Sequence, residues 1–230
     1  MIDLHTHILP GVDDGSPDAA TSAQMLALLR QQGVDTLAAT PHFYAWNDTP
    51  EAFLQRRQQG FERLQEAGID TSHILPGAEV AYFDGMSKSQ VLQQLQLGNT
   101  GLLLVEMPFR SWNDRIIQEI CQLPIQQNLQ PVLAHVDRYS SKQQLPKYMD
   151  TLLSNGVLFQ CNADAFLKGW GSRKFLKMLA MGQIHFLGSD CHNLTSRAPN
   201  LGAATAIIEK KIGPGLLPAL QEQAKELLFP

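Results

Sequence analysis

Short apolar runs recur along the chain, at 1–4, 34–39, 74–80, 102–105, 131–136, 157–161 and 184–187, each followed by a polar loop and a stretch with helical punctuation. The runs mostly lack strict two-residue alternation, which is how strands buried on both faces read. Ser16-Pro17 reads as an N-cap followed by proline at the first helical position, with Gly33 as the stop. Thr49-Pro50 repeats the device, and Gly68 closes a helix whose apolar stripe is Phe53, Leu54, Phe61 and Leu64. Leu145, Tyr148 and Leu152 keep the same spacing before Gly156. Pro124 is expected to kink or end a helix early, and the tail, 201–228, to form two helices split by Gly213-Pro214-Gly215. Repeated strand–helix units imply parallel strands with helical crossovers. A closed barrel and an open doubly wound sheet both satisfy that pattern.

The polar residues at the C-terminal ends of the runs choose between them. The first run ends in His5-Thr6-His7, with Asp13-Asp14 in the loop beyond; the second in Pro41-His42; the third in Glu79; the fourth in Glu106. The fifth ends in His135, then Arg138, and the last in Asp190-Cys191-His192, then Arg197; the sixth offers only Asn162 and Asp164. In an α/β barrel these ends converge on one face, whereas an open sheet spreads them along a line. A barrel is therefore expected, with the first strand beside the last. Side chains two apart on a strand point the same way, so both imidazoles of His-x-His can serve one centre.

Nine side chains are thus candidate metal ligands: His5, His7, Asp14, His42, Glu79, Glu106, His135, Asp190 and His192. They suffice for about three ions if carboxylates bridge and water completes the shells. Mixed imidazole and carboxylate favours Zn, Mn or Fe over Ca or Mg. Arg138 and Arg197, each a few residues beyond a ligand segment, suit a phosphate clamp because guanidinium binds phosphate oxygens in bidentate fashion. His42 is a candidate proton donor to a leaving group. His73 and His185 lie near the starts of runs, at the opposite end, and are assigned to structure.

Composition sets the outer limits. With 44% hydrophobic and 17% charged residues the chain is globular, and residues 1–230 are expected to form one domain. A formal charge of −4 gives no indication of nucleic acid or an acidic membrane as partner, while leaving room for a local basic patch. The opening lacks the basic and apolar segments of a signal peptide, and no apolar run is long enough to span a membrane. Cys121, Cys161 and Cys191 are too few and too scattered for a disulfide framework. A cytoplasmic protein is expected.

These residues also resemble a known family. The stretch from Asp3 through His5-Thr6-His7-Ile8-Leu9-Pro10-Gly11-Val12-Asp13-Asp14-Gly15, then Pro41-His42, Gly77-Ala78-Glu79, Glu106, Ala134-His135-Val136-Asp137-Arg138-Tyr139 and Ser189-Asp190-Cys191-His192-Asn193, is similar to the polymerase and histidinol phosphatase (PHP) superfamily. Within it the chain most resembles the bacterial tyrosine-protein phosphatases of the capsular and exopolysaccharide biosynthesis (CpsB/CapC) type. The resemblance implies a distorted TIM-like (β/α)7 barrel of the PHP fold. It implies that the nine residues hold three metal ions, manganese among the candidates, and that Arg138 and Arg197 bind phosphate. The implied substrate is phosphotyrosine on the tail of a bacterial tyrosine autokinase. Two features depart from the pattern: the loop Phe43-Tyr44-Ala45-Trp46-Asn47 is unusually aromatic, and Asp137 stands where Glu is expected.

Several alternatives stay open at the level of sequence. Cys191 through Arg197 fits C-x5-R, the signature of cysteine-dependent phosphatases, although no glycine eases close backbone approach. Histidinol phosphate or another small phosphomonoester is a second possible substrate. An amidohydrolase also opens with His-x-His but commonly needs a strand-end lysine, which is absent here. A non-enzymatic metal-binding scaffold is the remaining reading.

Overall fold

The computed structural model describes residues 1–139 and 145–229. Among them, the strands are β1 Ile2–Thr6, β2 Thr36–Ala39, β3 His42–Phe43, β4 Ile74–Pro76, β5 Glu79–Ala81, β6 Leu102–Glu106, β7 Gln130–Leu133, β8 Leu158–Asn162 and β9 Phe186–Gly188. All seven expected runs carry strands. Every pairing is parallel, in the orders β1-β2-β4 and β3-β5-β6-β7-β8-β9. The two sheets continue one ladder across Pro41: the Gly77 amide donates to the Ala39 carbonyl at 2.9 Å and the Glu79 amide to the Pro41 carbonyl at 3.1 Å. Proline has no N–H, so the ladder is interrupted at this point: β3 follows the second run as a separate strand, and the third run is cut into β4 and β5. The sheet curls until its first strand meets its last, through a parallel bridge between Thr6 and Cys191.

The α-helices are α1 Ala19–Gln31, α2 Pro50–Glu66, α3 Asp114–Gln127, α4 Leu145–Ser154, α5 Asp164–Leu167, α6 Ser172–Ala180, α7 Leu201–Ile212 and α8 Leu216–Leu228. Thr49 caps α2 ahead of Pro50 as expected. The cap of α1 is Asp18, not Ser16: the Asp18 carboxylate accepts the Thr21 amide at 2.7 Å, while the Ser16 hydroxyl donates to the Asp18 carbonyl. Nor does Pro124 end α3. The helix runs on to Gln127 and stops at Asn128 in the left-handed region. Pro124 falls in the closing turn, where one missing amide bond is offset by burial of Ile116, Ile117, Ile120 and Leu123. The tail forms α7 and α8, separated at Gly213-Pro214-Gly215 as expected.

Alternate side chains on the strands divide the core in two. Leu103, Val105, Leu133, Phe159 and Leu187 join helix residues such as Met25, Phe53, Ile120 and Leu152. Leu102, Leu104, Val132, Leu158 and Phe186 form a second cluster with Ile2, Leu4 and, from α8, Ala224 and Leu228. Glu106 lies two residues beyond Leu104, and Gln160 and Asn162 two and four beyond Leu158. The same period of two that buries leucine lower on the strand therefore aims polar groups where the strand ends.

Candidate metal centre

All nine candidate ligands are brought together. Their donor atoms form three groups, His7 with Asp14, His42 and His192; His5 with His7 and Asp190; and Glu79 with Glu106 and His135, the atoms within each group lying within 4.8 Å of one another. His7 belongs to two groups, and Glu79 joins all three. Its Oε2 lies 3.2 Å from His5 Nε2, 3.3 Å from His7 Nε2 and 3.0 Å from His42 Nδ1, and its Oε1 2.7 Å from His135 Nε2. Asp190 Oδ1 stands 3.6 Å from His5 Nε2 and 3.5 Å from His7 Nε2. The two imidazoles of His5-x-His7 approach to 3.1 Å between Nε2 atoms, as their common direction on the strand requires. Asp14 is the exposed member, its Oδ1 3.4 Å from His42 Nε2 and 3.5 Å from His192 Nε2.

The donor set fits divalent cations. Glu79 Oε2, His42 Nδ1 and His192 Nε2 are buried at ion-pair distance from neighbouring groups yet form no hydrogen bond among the described residues, which is costly unless another group satisfies them. Burial opposes charge on Glu79, yet His5, His135 and His42 hold its carboxyl well below the usual carboxylate range. His7 is pushed up to about 10: burial lowers it, but Asp13 and Glu79 outweigh that. His135 likewise rises to about 9 against burial, through Glu106 and Glu79. His192, buried and beside His7, falls to about 4. Acids and imidazoles are thus held in the mutual contact that cations would share.

Supporting residues lie outside the nine. Asp13 Oδ2 sits 2.6 Å from His7 Nδ1 and accepts the His42 amide at 3.0 Å, so one carboxylate orients two candidate ligands. Gln160, fully buried on β8, accepts the His135 amide at 2.7 Å and faces His5 Nδ1 at 3.2 Å. Asp3 accepts the Ser189 amide at 2.8 Å, stitching β1 to the turn that carries Asp190; burial pushes its carboxyl up to about 6. Asp13, Gln160 and Asp3 left only faint signals in the sequence: an acid beside Asp14, a polar residue inside an apolar strand, and an acid two before His5. The weak sixth run supplies more than expected, since Asn162 Nδ2 donates to Asp190 Oδ2 at 2.8 Å. Asp137 accepts the Asn162 amide at 2.9 Å and so secures the end of β8.

Backbone strain concentrates here. His135 (φ 32°) and Asp190 (φ 53°) occupy the left-handed region that side-chain-bearing residues avoid. Gly15 has no room for a side chain: a Cβ would fall 2.2 Å from the His7 carbonyl oxygen.

Arg138 and Arg197 converge on Asp190. Arg138 Nη2 bonds Oδ2, and Arg197 Nη2 bonds Oδ1 at 2.7 Å. Both remain about one-third exposed at the rim. On the other side Tyr44 stacks on His42 with ring centroids 5.2 Å apart, and Trp46 on Tyr44 at the same distance. Phe109 stacks on His135 at 6.0 Å. His73 and His185 stand apart: His73 pairs with Arg30, and His185 Nδ1 accepts the Phe159 amide at 3.1 Å. Cys191 is fully buried in the core, and burial pushes its thiol well above its ordinary value. It lacks the accessible thiolate that a nucleophile requires.

A curled parallel sheet with adjoining histidine–carboxylate groups at its strand ends defines an α/β protein with a candidate metal centre. A family model for capsular polysaccharide synthesis proteins, CpsB/CapC, matches residues 1–228, and the chain belongs to that family. It is 31% identical to tyrosine-protein phosphatase YwqE of Bacillus subtilis, across 99% of this chain and 91% of that one. It is 30% identical to tyrosine-protein phosphatase CpsB of Streptococcus agalactiae, across 93% and 91% respectively. A solved structure from work on YwqE and Streptococcus pneumoniae CpsB, described as unique metal-dependent tyrosine phosphatases, superposes with a TM-score of 0.84 at 30% identity. That match covers 99% of this chain and 94% of the other.

Proposed function

We propose that the chain is a metal-dependent phosphatase acting on phosphotyrosyl protein in capsular or exopolysaccharide synthesis. The observation that carries this reading is the set of three ligand groups, two of them sharing His7 and all three joined by Glu79, in a family whose relatives are named tyrosine-protein phosphatases. The fold on this reading is a distorted (β/α)7 barrel of PHP type, with residues 1–230 forming one domain. The nine ligands hold three ions, drawn from Mn, Fe or Zn. The substrate is the tail of a bacterial tyrosine autokinase, and the protein works in the cytoplasm. Among the described residues no helix is long and apolar enough to cross a membrane.

Divalent ions held by these residues would supply a nucleophile at neutral pH and a Lewis acid for the phosphoryl oxygens. The protein supplies the rest. Arg138 and Arg197 stand at the rim where their guanidinium groups can take the equatorial oxygens as charge redistributes. Asp190, bonded to both, fixes their orientation before substrate arrives. On this reading His42, partly exposed beside Asp14, would pass a proton to the leaving phenolate from the ring nitrogen that does not hold an ion. Tyr44 on its outer face offers a shelf for the departing ring.

Hydrolysis of a phosphotyrosine peptide, compared with histidinol phosphate and a phosphoserine peptide, tests the reading. Chelator-sensitive turnover favouring phosphotyrosine is expected, with Cys191→Ser retaining most of it. Arg197→Ala is expected to lose about 100-fold in turnover while keeping its metal, in line with removal of a transition-state donor. Equal loss of metal and turnover in that variant contradicts the clamp, and a preference for histidinol phosphate contradicts the substrate.

A further inference from the structure

Between Asp164 and Asp190 the sequence carries no carboxylate, while Lys168, Arg173, Lys174 and Lys177 supply four cations. In a chain of formal charge −4 this is a local inversion of sign. The stretch forms the end of α5, a 3-10 turn Gly169–Gly171, and α6. All four cations are exposed. At the centre of the turn, between two glycines, Trp170 is 79% exposed, and the Arg173 guanidinium lies 3.7 Å from its ring centroid. Phe166, Leu176 and Ile207 line the adjoining cavity of about 410 Å3 together with Lys210 and Lys211, which end α7 and add two more exposed cations. Beyond the far end of α6 stands Met181, 60% exposed, while Met178 and Leu179 anchor the helix to the core. Glu209, the neighbour of Lys210, is the carboxylate on the adjoining end of α7.

We infer that this face docks the protein peripherally on an anionic membrane surface. Tryptophan favours the headgroup region because its ring is apolar and its N–H polar. The apolar face of α6 is committed to the core, so the contact offered is peripheral: two protruding apolar side chains, Trp170 and Met181, beside exposed cations. Lysine and arginine near such a surface are drawn to its negative potential over about a Debye length. An acidic peptide would share the charge, but Trp170, which borders the cavity while staying 79% exposed, offers most of its ring to an extended surface. The patch shares no residue with the candidate metal centre, so docking and hydrolysis are separable.

The test is co-sedimentation of the whole protein with vesicles of phosphatidylcholine alone and of phosphatidylcholine mixed with phosphatidylglycerol. Binding to the mixed vesicles only is expected, weakened by salt and accompanied by a blue shift of tryptophan emission. Trp170→Ala should abolish the shift, and Lys210→Glu with Lys211→Glu should weaken binding about tenfold or more, both variants melting at the parent temperature. Failure of the parent protein to sediment with anionic vesicles overturns the inference. So does undiminished binding by both variants, or capture of soluble poly-glutamate without any binding to vesicles.

Discussion

Asp13 and Asp14 are neighbours with different tasks. Asp14 is exposed and faces His42 and His192, while Asp13 turns inward to His7 Nδ1 and the His42 amide. A carboxylate behind a ligating histidine fixes its tautomer and ring orientation, and its removal typically weakens metal binding about 10–100-fold. Asp13→Asn keeps the shape but gives up the charge, and a loss of that size in competitive metal titration is expected. Asp18→Asn, which alters only the α1 cap, should leave affinity unchanged; equal effects at the two positions would show that Asp13 is merely structural. The candidate ligands were legible in the sequence because histidine and carboxylate ending an apolar run have few structural reasons to recur. Asp13, Gln160 and Asp3 left only faint local signals, and the roles of Gln160 and Asp3 rest on bonds to distant segments. Gln160, for example, meets His135 across 25 positions of sequence, which no local pattern reports.

Elements position those residues through close backbone approach. Gly188 ends β9 where a Cβ would lie 2.6 Å from Gln160 Nε2 and 2.7 Å from His5 Cβ. Gly188→Ala must push apart β1 and β8, the strands carrying His5 and Gln160. An overpacking cost of about 1–3 kcal/mol is expected, read as a lower urea midpoint, together with weaker metal binding. A variant that binds metal normally would mean the two strands can yield without disturbing the site. Element order was readable because apolar runs and helix punctuation are local. The break of the third run was not, since hydrophobicity continues across Gly77 while the backbone changes partner. The α1 start was misplaced by two residues because Ser16-Pro17 mimics a cap, whereas loop 8–16 folds back so that the Ser16 amide bonds the His7 carbonyl at 2.9 Å.

At the scale of the molecule, metal and protons compete for one set of atoms. His7 and His135, raised to about 10 and about 9, are protonated at neutral pH when paired only with carboxylates. Metal requires neutral imidazole, so binding releases protons and affinity falls as pH falls. For metal-free protein the sign is the reverse. Pairing of raised histidines stabilises the fold fully below their ordinary value near 6.5, and that contribution is lost as pH rises through about 9 and 10. Calorimetric metal titration near pH 7 in two buffers of different ionisation enthalpy should show release of at least about one proton per chain. No release would mean that these histidines are neutral before metal arrives.

On the reading proposed, hydrolysis at this centre requires several ions acting together. Elemental analysis of protein loaded with Mn, Fe or Zn, paired with phosphotyrosine-peptide hydrolysis on the same sample, tests that most directly. About three ions per chain are expected, with activity abolished by chelation and restored by metal, and fewer ions with little activity in Glu79→Gln. One ion per chain, or full activity after complete chelation, would contradict it.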